Sequence, residues 1–165
     1  MTYDRTIKIS TAGTRDALIW KPTTMSWAAL VERLQEIRAG SHKIGTTKNG
    51  IGPCYADKYT RTGIRVCDLK EWDVFSEKLK TALEFKNEEI VKIYHGEPFD
   101  YDEMLAQFAA IRDRIIPMIV DSTDKINKAL DSGKNVLFEG AQANMLDINY
   151  GTYPYVTSSS PTAAG

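Results

Sequence analysis

The sequence is poor in the residues that most directly announce a chemistry. Only two cysteines, Cys54 and Cys67, occur in 165 residues, too few for a disulfide framework, so reduced thiols in a cytoplasmic protein are expected. The two histidines, His42 and His95, lie too far apart in sequence to suggest a metal site. No apolar run approaches the length of a membrane span, and the opening Met1-Thr2-Tyr3-Asp4-Arg5 is too polar for a secretory signal, so no membrane partner is expected. Charge of one sign is missing as well: 21 lysines and arginines face 22 aspartates and glutamates, a formal net charge of -1. That balance argues against nucleic acid as a partner and confines any anion site to a local cluster. What is present is ordinary for a folded domain, with 42% hydrophobic and 26% charged residues, and the length suits one domain.

The opening is weakly patterned. Ile7 and Ile9 alternate with polar residues and Ala17 to Trp20 form a second apolar run, which predicts a hairpin. From Ser26, an N-cap, residues Trp27, Leu30, Val31, Leu34 and Ile37 recur at helical spacing until Gly40. A polar, glycine-rich loop follows from Ser41 to about Gly63. Asp68 and Glu71 then have capping-box spacing ahead of the stripe Trp72, Phe75, Leu79 and Leu83, and Asp100 and Glu103 repeat it ahead of Tyr101, Met104, Phe108, Ile111 and Ile115. Pro117 interrupts. Ile119-Val120 reads as a short strand, Ser122 to Leu130 as a short helix and Val136-Leu137-Phe138 as a buried strand leaving a turn at Gly140. In the tail, Tyr153 to Val156 is the one extended-looking piece.

Two segments carry chemistry. In Lys43 to Arg65, Gly45, Gly50 and Gly52 let backbone amides approach an anion, Thr46 and Thr47 add hydroxyls, and Lys48, Lys58, Arg61 and Arg65 oppose Asp57 alone. This is a phosphate-binding pattern but not a Walker A loop, because Ile51 and Gly52 stand where its lysine and hydroxyl residue belong. A helical turn over Asp57 to Thr62 puts Lys58 and Arg61 on one face, able to hold one charged headgroup. Cys54 lies among these cations, which should depress its pKa. The bland alternative is a surface loop with solvated charges. The second segment, Phe138 to Ser160, ends a strand in Glu139-Gly140-Ala141-Gln142, where open α/β sheets bind ligands. Gln142 offers a donor and an acceptor to a purine edge, and Thr157 to Ser160 are hydroxyls able to hold a phosphate. Such groups alone more often satisfy their own backbone; the combination favours a ligand.

Gly50-Ile51-Gly52-Pro53-Cys54-Tyr55-Ala56-Asp57-Lys58-Tyr59-Thr60-Arg61 resembles a signature of the adenylosuccinate synthetase family. Phe138 to Gln142, Leu146-Asp147-Ile148 and Gly151 to Ser159 resemble a second one. The likeness runs from about Ile44 to Gly165. Members join inosine monophosphate (IMP) to L-aspartate at the expense of GTP, with magnesium and through a 6-phosphoryl intermediate, toward AMP. By motif position the resemblance implies Thr47 on the IMP phosphate, Thr157 on it from the other side and Gln142 near the 6-oxygen of hypoxanthine. It implies Arg61 reaching across a homodimer to the partner's nucleotide, and Lys58, the candidate catalytic residue, supporting that region.

Departures set the limits of the expectation. Met1 to Ser41 contains nothing like the family's glycine-rich loop with its catalytic aspartate and histidine, and the aspartate- and guanine-binding segments would follow Gly165. The residues for GTP and magnesium are therefore expected outside this chain. Residues 1–40 are an unassigned segment, a hairpin plus a helix, and residues 41–165 a partial synthetase-like domain carrying the IMP-binding stretches. The expected fold is α/β, a helix-rich fragment of a P-loop-like, mostly parallel sheet. The expected function is that of a ligase fragment inactive alone; the competing reading is a non-catalytic purine nucleotide-binding and dimerisation module.

Overall fold

Apolar residues recurring every three or four positions make helices the dominant element. The structure, a computed structural model, describes residues 6–10 and 27–163. In chain order the elements are strand β1 (Thr6–Ser10), helices α1 (Trp27–Ala39), α2 (Ile51–Thr60), α3 (Trp72–Lys92), α4 (Tyr101–Ile115) and α5 (Ser122–Asp131), and strand β2 (Asn135–Glu139). β1 runs parallel to β2, with Ile7 opposite Val136 and Ile9 opposite Phe138. The expected hairpin partner at Ala17 to Trp20 and the expected N-cap Ser26 lie outside the described residues.

The main core forms where α3 meets the connection before it and α4 after it. Phe75, Leu79 and Leu83, the stripe expected of α3, are buried with Ile64 and Leu69. Met104, Phe108 and Ile115 of α4 pack against them, Phe108 edge-on to Phe75 at 5.0 Å between ring centroids. Polar clamps fix the same contact. The Asn87 side chain accepts from the Phe99 N–H and donates to the Phe99 carbonyl, both at 2.8 Å. The Arg112 guanidinium donates to the carbonyls of Leu69 and Lys70 and lies over the Trp72 ring.

Several expectations change. Asp100 caps α4 by accepting from the Glu103 N–H, as its spacing predicts. Asp68 does not cap α3: it accepts from the Arg65 N–H at 2.7 Å and pairs with Lys78, and α3 begins after Glu71 with no side-chain cap. α1 is a helix, but Ala28, Ala29, Val31 and Glu32 are its buried residues while Ile37 is exposed. The reason is α2. Gly50, at φ +81°, lies so close to α1 that a Cβ there would meet the Ala28 and Ala29 backbone at 2.6 Å, which turns the alanine face inward. Ile119-Val120 forms no strand, because the Ile119 N–H closes a turn onto the Ile116 carbonyl. β2 is not buried: Leu137 and Phe138 are exposed, since among the described residues β1 is the one strand paired with it. Tyr153 to Val156 is a turn with a cis Tyr153–Pro154 bond, held by Tyr155 N–H to Thr152 carbonyl. The loop expected from Ser41 to Gly63 contains α2.

α2 is joined to α3 by a buried ion pair, Lys86 Nζ to Asp57 Oδ1 at 2.7 Å, with Glu89 at 3.6 Å. Removing one partner leaves the other charge desolvated, which costs more than the pair itself contributes. Lys86→Met should therefore destabilise the chain by about 3 kcal/mol in urea unfolding, and adding Asp57→Asn should restore much of it. Equal costs for the single and double variants would contradict the pairing.

Candidate functional site

The first motif stretch is organised by α1 rather than by its own charges. Glu32, buried in α1, accepts the Gly50 N–H on Oε2 at 2.7 Å. One helical turn on, Glu36 accepts from Ile44 N–H on Oε1 at 3.2 Å and from Gly45 N–H on Oε2 at 3.0 Å. Amides expected to face a phosphate thus face carboxylates. Between these two ties stand Thr46 and Thr47. Thr47 is exposed, and the Thr46 hydroxyl is buried without a hydrogen bond.

The cations do not gather as expected. Lys58, in the last turn of α2, is exposed, with Nζ 5.3 Å from the Tyr55 ring centroid and 5.7 Å from that of Tyr59. Arg61 follows the helix in the left-handed region, φ +65°, its N–H bonded back to the Lys58 carbonyl at 3.2 Å. One helical face shared by Lys58 and Arg61 is therefore not formed, and the Arg61 side chain is exposed. Asp57, the lone acid of the loop, is taken by Lys86. The Cys54 expectation also reverses: burial and the Asp57 carboxylate push its thiol up, against a smaller opposing effect of Lys58.

The second stretch is built around Asp147, whose side chain is fully buried. Its Oδ1 accepts from the N–H groups of Asn149 and Tyr150 at 2.8 and 3.1 Å. Its Oδ2 accepts from the Thr162 hydroxyl and N–H at 3.0 and 3.3 Å. Backbone bonds from Thr157 N–H to the Leu146 carbonyl and from Ile148 N–H to the Ser159 carbonyl close the loop on itself. Gly151 admits no side chain, because a Cβ would stand 2.3 Å from the Met145 carbonyl oxygen. Thr157 is thereby held half-buried beside buried Ser159, and Gln142 is half-buried after β2.

The two stretches approach at one place. A Cβ built on Gly52 would lie 3.7 Å from Glu32 Oε1 and 3.7 Å from Ser158 Oγ. The start of α2, the α1 carboxylate and Ser158, next to Thr157 in sequence, thus share a neighbourhood, in which hydroxyls and amides can hold an anion. Among the described residues no three His, Cys, Asp or Glu side chains gather to hold a metal ion. Motif reading missed Glu32 and Glu36, and it quoted Asp147 within the second signature without giving it a role. The signals were two acids one turn apart before a glycine loop, and an aspartate followed by asparagine and glycine, the composition of a side-chain-capped turn.

Burial pushes the Asp147 carboxyl up, yet its hydrogen bonds from Asn149, Tyr150 and Thr162 outweigh that and hold its pKa below the ordinary 3.8. With the folded value depressed, its stabilising contribution is complete above 3.8 and is lost as pH falls through the folded value. Asp147→Asn should lower the thermal midpoint at neutral pH, and its deficit against the unaltered chain should shrink on acidification to about pH 3. A deficit that stays constant across that range would contradict the ionic account.

Comparison with known proteins points to one family. The family model described as adenylosuccinate synthetase matches residues 18–165, reaching ahead of Ile44, where the likeness was expected to begin. An adenylosuccinate synthetase of Fusobacterium nucleatum is 55% identical over 135 residues, 82% of this chain and 32% of the relative. One from Brachyspira hyodysenteriae is 48% identical over 141 residues, 86% of this chain and 33% of the relative. The solved structure of the fully ligated adenylosuccinate synthetase from Plasmodium falciparum superposes with a TM-score of 0.75 at 37% identity, covering 83% of this chain and 32% of that one. The chain thus spans about a third of the length of the curated relatives it matches. On the match of residues 18–165, the chain belongs to the adenylosuccinate synthetase family.

Proposed function

We propose that this chain supplies part of the IMP site of a GTP-dependent ligase joining IMP to L-aspartate on the way to AMP. The observation that carries the reading is the approach of Gly52 to both Glu32 and Ser158, which brings the two motif stretches to one neighbourhood. Thr47 and Thr157 hold the nucleotide phosphate through their hydroxyls, and Gln142 reads the hypoxanthine edge beside the 6-oxygen. Arg61, exposed at the C-terminal end of α2, serves the partner's nucleotide in a cytoplasmic homodimer, and Lys58 supports that contact. β1 and β2 belong to a larger, mostly parallel sheet of P-loop type, which covers the exposed Leu137 and Phe138. When bound, GTP and magnesium supply phosphoryl transfer to the 6-oxygen; the described residues bind and orient IMP. Without the phosphoryl-transfer groups the 165 residues bind IMP but do not turn it over.

Calorimetric titration separates the roles. Gln142→Ala should weaken IMP binding about ten- to a hundredfold, the loss expected of one hydrogen bond to a charged or desolvated partner, and leave ribose 5-phosphate nearly unaffected. Equal losses for both ligands, or synthetase turnover by this chain alone, would contradict the reading. A dimer that binds IMP with Gln142 playing no part would favour a non-catalytic nucleotide-binding module.

A further inference from the structure

Glu32 and Glu36 are one turn apart on α1, and each takes amides of the loop that carries Thr46 and Thr47. Glu36 is bidentate to consecutive N–H groups at the start of that loop, Ile44 and Gly45, and Glu32 takes Gly50 at its end. Two consecutive amides converging on one carboxylate form an anion nest, here filled by the protein's own side chain. The loop needs such ties, because Gly45, at φ +82°, and Lys48, at φ +57°, are both left-handed and residues 43–50 are themselves neither strand nor helix. Glu32 is buried and stands, like Ser158, beside Gly52, so it belongs to the junction of the two stretches; Glu36 is half-buried and bonds only to the start of the loop among the contacts described.

We propose that Glu36 is a positioning residue: its carboxylate fixes the Ile44–Gly45 backbone and thereby presents the Thr47 hydroxyl for the ligand phosphate. Glu32 anchors the other end of the loop. Fixing the loop before binding removes an ordering cost that a free loop would otherwise add to every binding event. The inference rests on the proposed IMP site and adds to it a residue that does not touch the ligand.

The test compares the unaltered chain, Glu36→Ala and Glu36→Gln by amide hydrogen exchange and by IMP titration. Glu36→Ala should speed exchange at Ile44 and Gly45, leave Gly50 protected, keep the thermal midpoint and weaken IMP binding about tenfold. Glu36→Gln, whose carbonyl oxygen can still accept, should recover part of both the protection and the affinity. Unchanged exchange at Ile44 and Gly45, unchanged affinity, or tighter IMP binding by Glu36→Ala would each overturn the positioning role, the last by showing that the carboxylate competes with the phosphate. An unaltered chain that fails to bind IMP would overturn the proposed function itself, whereas binding that ignores Glu36 overturns this inference alone.

Discussion

The buried Glu32 carboxylate, bonded to the Gly50 N–H at 2.7 Å, is the constraint on which the site depends. A desolvated carboxylate must find donors, and the amide of a residue at φ +81° pressed against the α1 backbone is the donor it finds. That contact seats the start of α2 on α1, and only then can Gly52 come within reach of Ser158. A larger side chain at Gly50 would have to push the helices apart, so the glycine and the carboxylate act together.

From there the structure extends in two directions. α2 is tied outward to α3 by Asp57 and Lys86, and α3 carries the core of Phe75, Leu79 and Leu83. The catalytic-looking charges of the loop are thus divided between structure and surface: Asp57 is consumed in the fold, while Lys58 and Arg61 remain exposed at the far end of α2. On the other side, Asp147 organises the second stretch from within by accepting four hydrogen bonds, and the Ser158 hydroxyl stands near the α2 start. Two loops distant in sequence meet where Gly52 faces Ser158, each stiffened by a buried carboxylate.

Much of this was legible in the sequence wherever a single periodicity decides. The stripes of α3 and α4, the Asp100 cap, the helix from Ser122 and the family likeness of both motif stretches follow from spacing and residue type. What was not legible depends on distant partners. Cys54 was read from its neighbours in sequence, yet burial and Asp57 decide its thiol. Ile37 was placed on a buried face because periodicity cannot tell which flank of α1 a glycine loop will cover. Asp68 had the spacing of a cap but found a nearer amide in Arg65 and a cation in Lys78. The strand Val136-Leu137-Phe138 was read as buried from its composition, but burial of a strand is set by what covers it, and β1 is the one strand paired with it among the described residues. The likeness of residues 18–43 to the family carries no motif and emerged only from the comparison.

The central claim is that two separate stretches converge on one nucleotide. Backbone amide shifts of the isotope-labelled chain, followed during an IMP titration, test it most directly. The account predicts that Gly45 to Gly52 and Thr157 to Ser159 respond together, with a single dissociation constant. Response confined to one stretch, or two stretches saturating at different IMP concentrations, would contradict it.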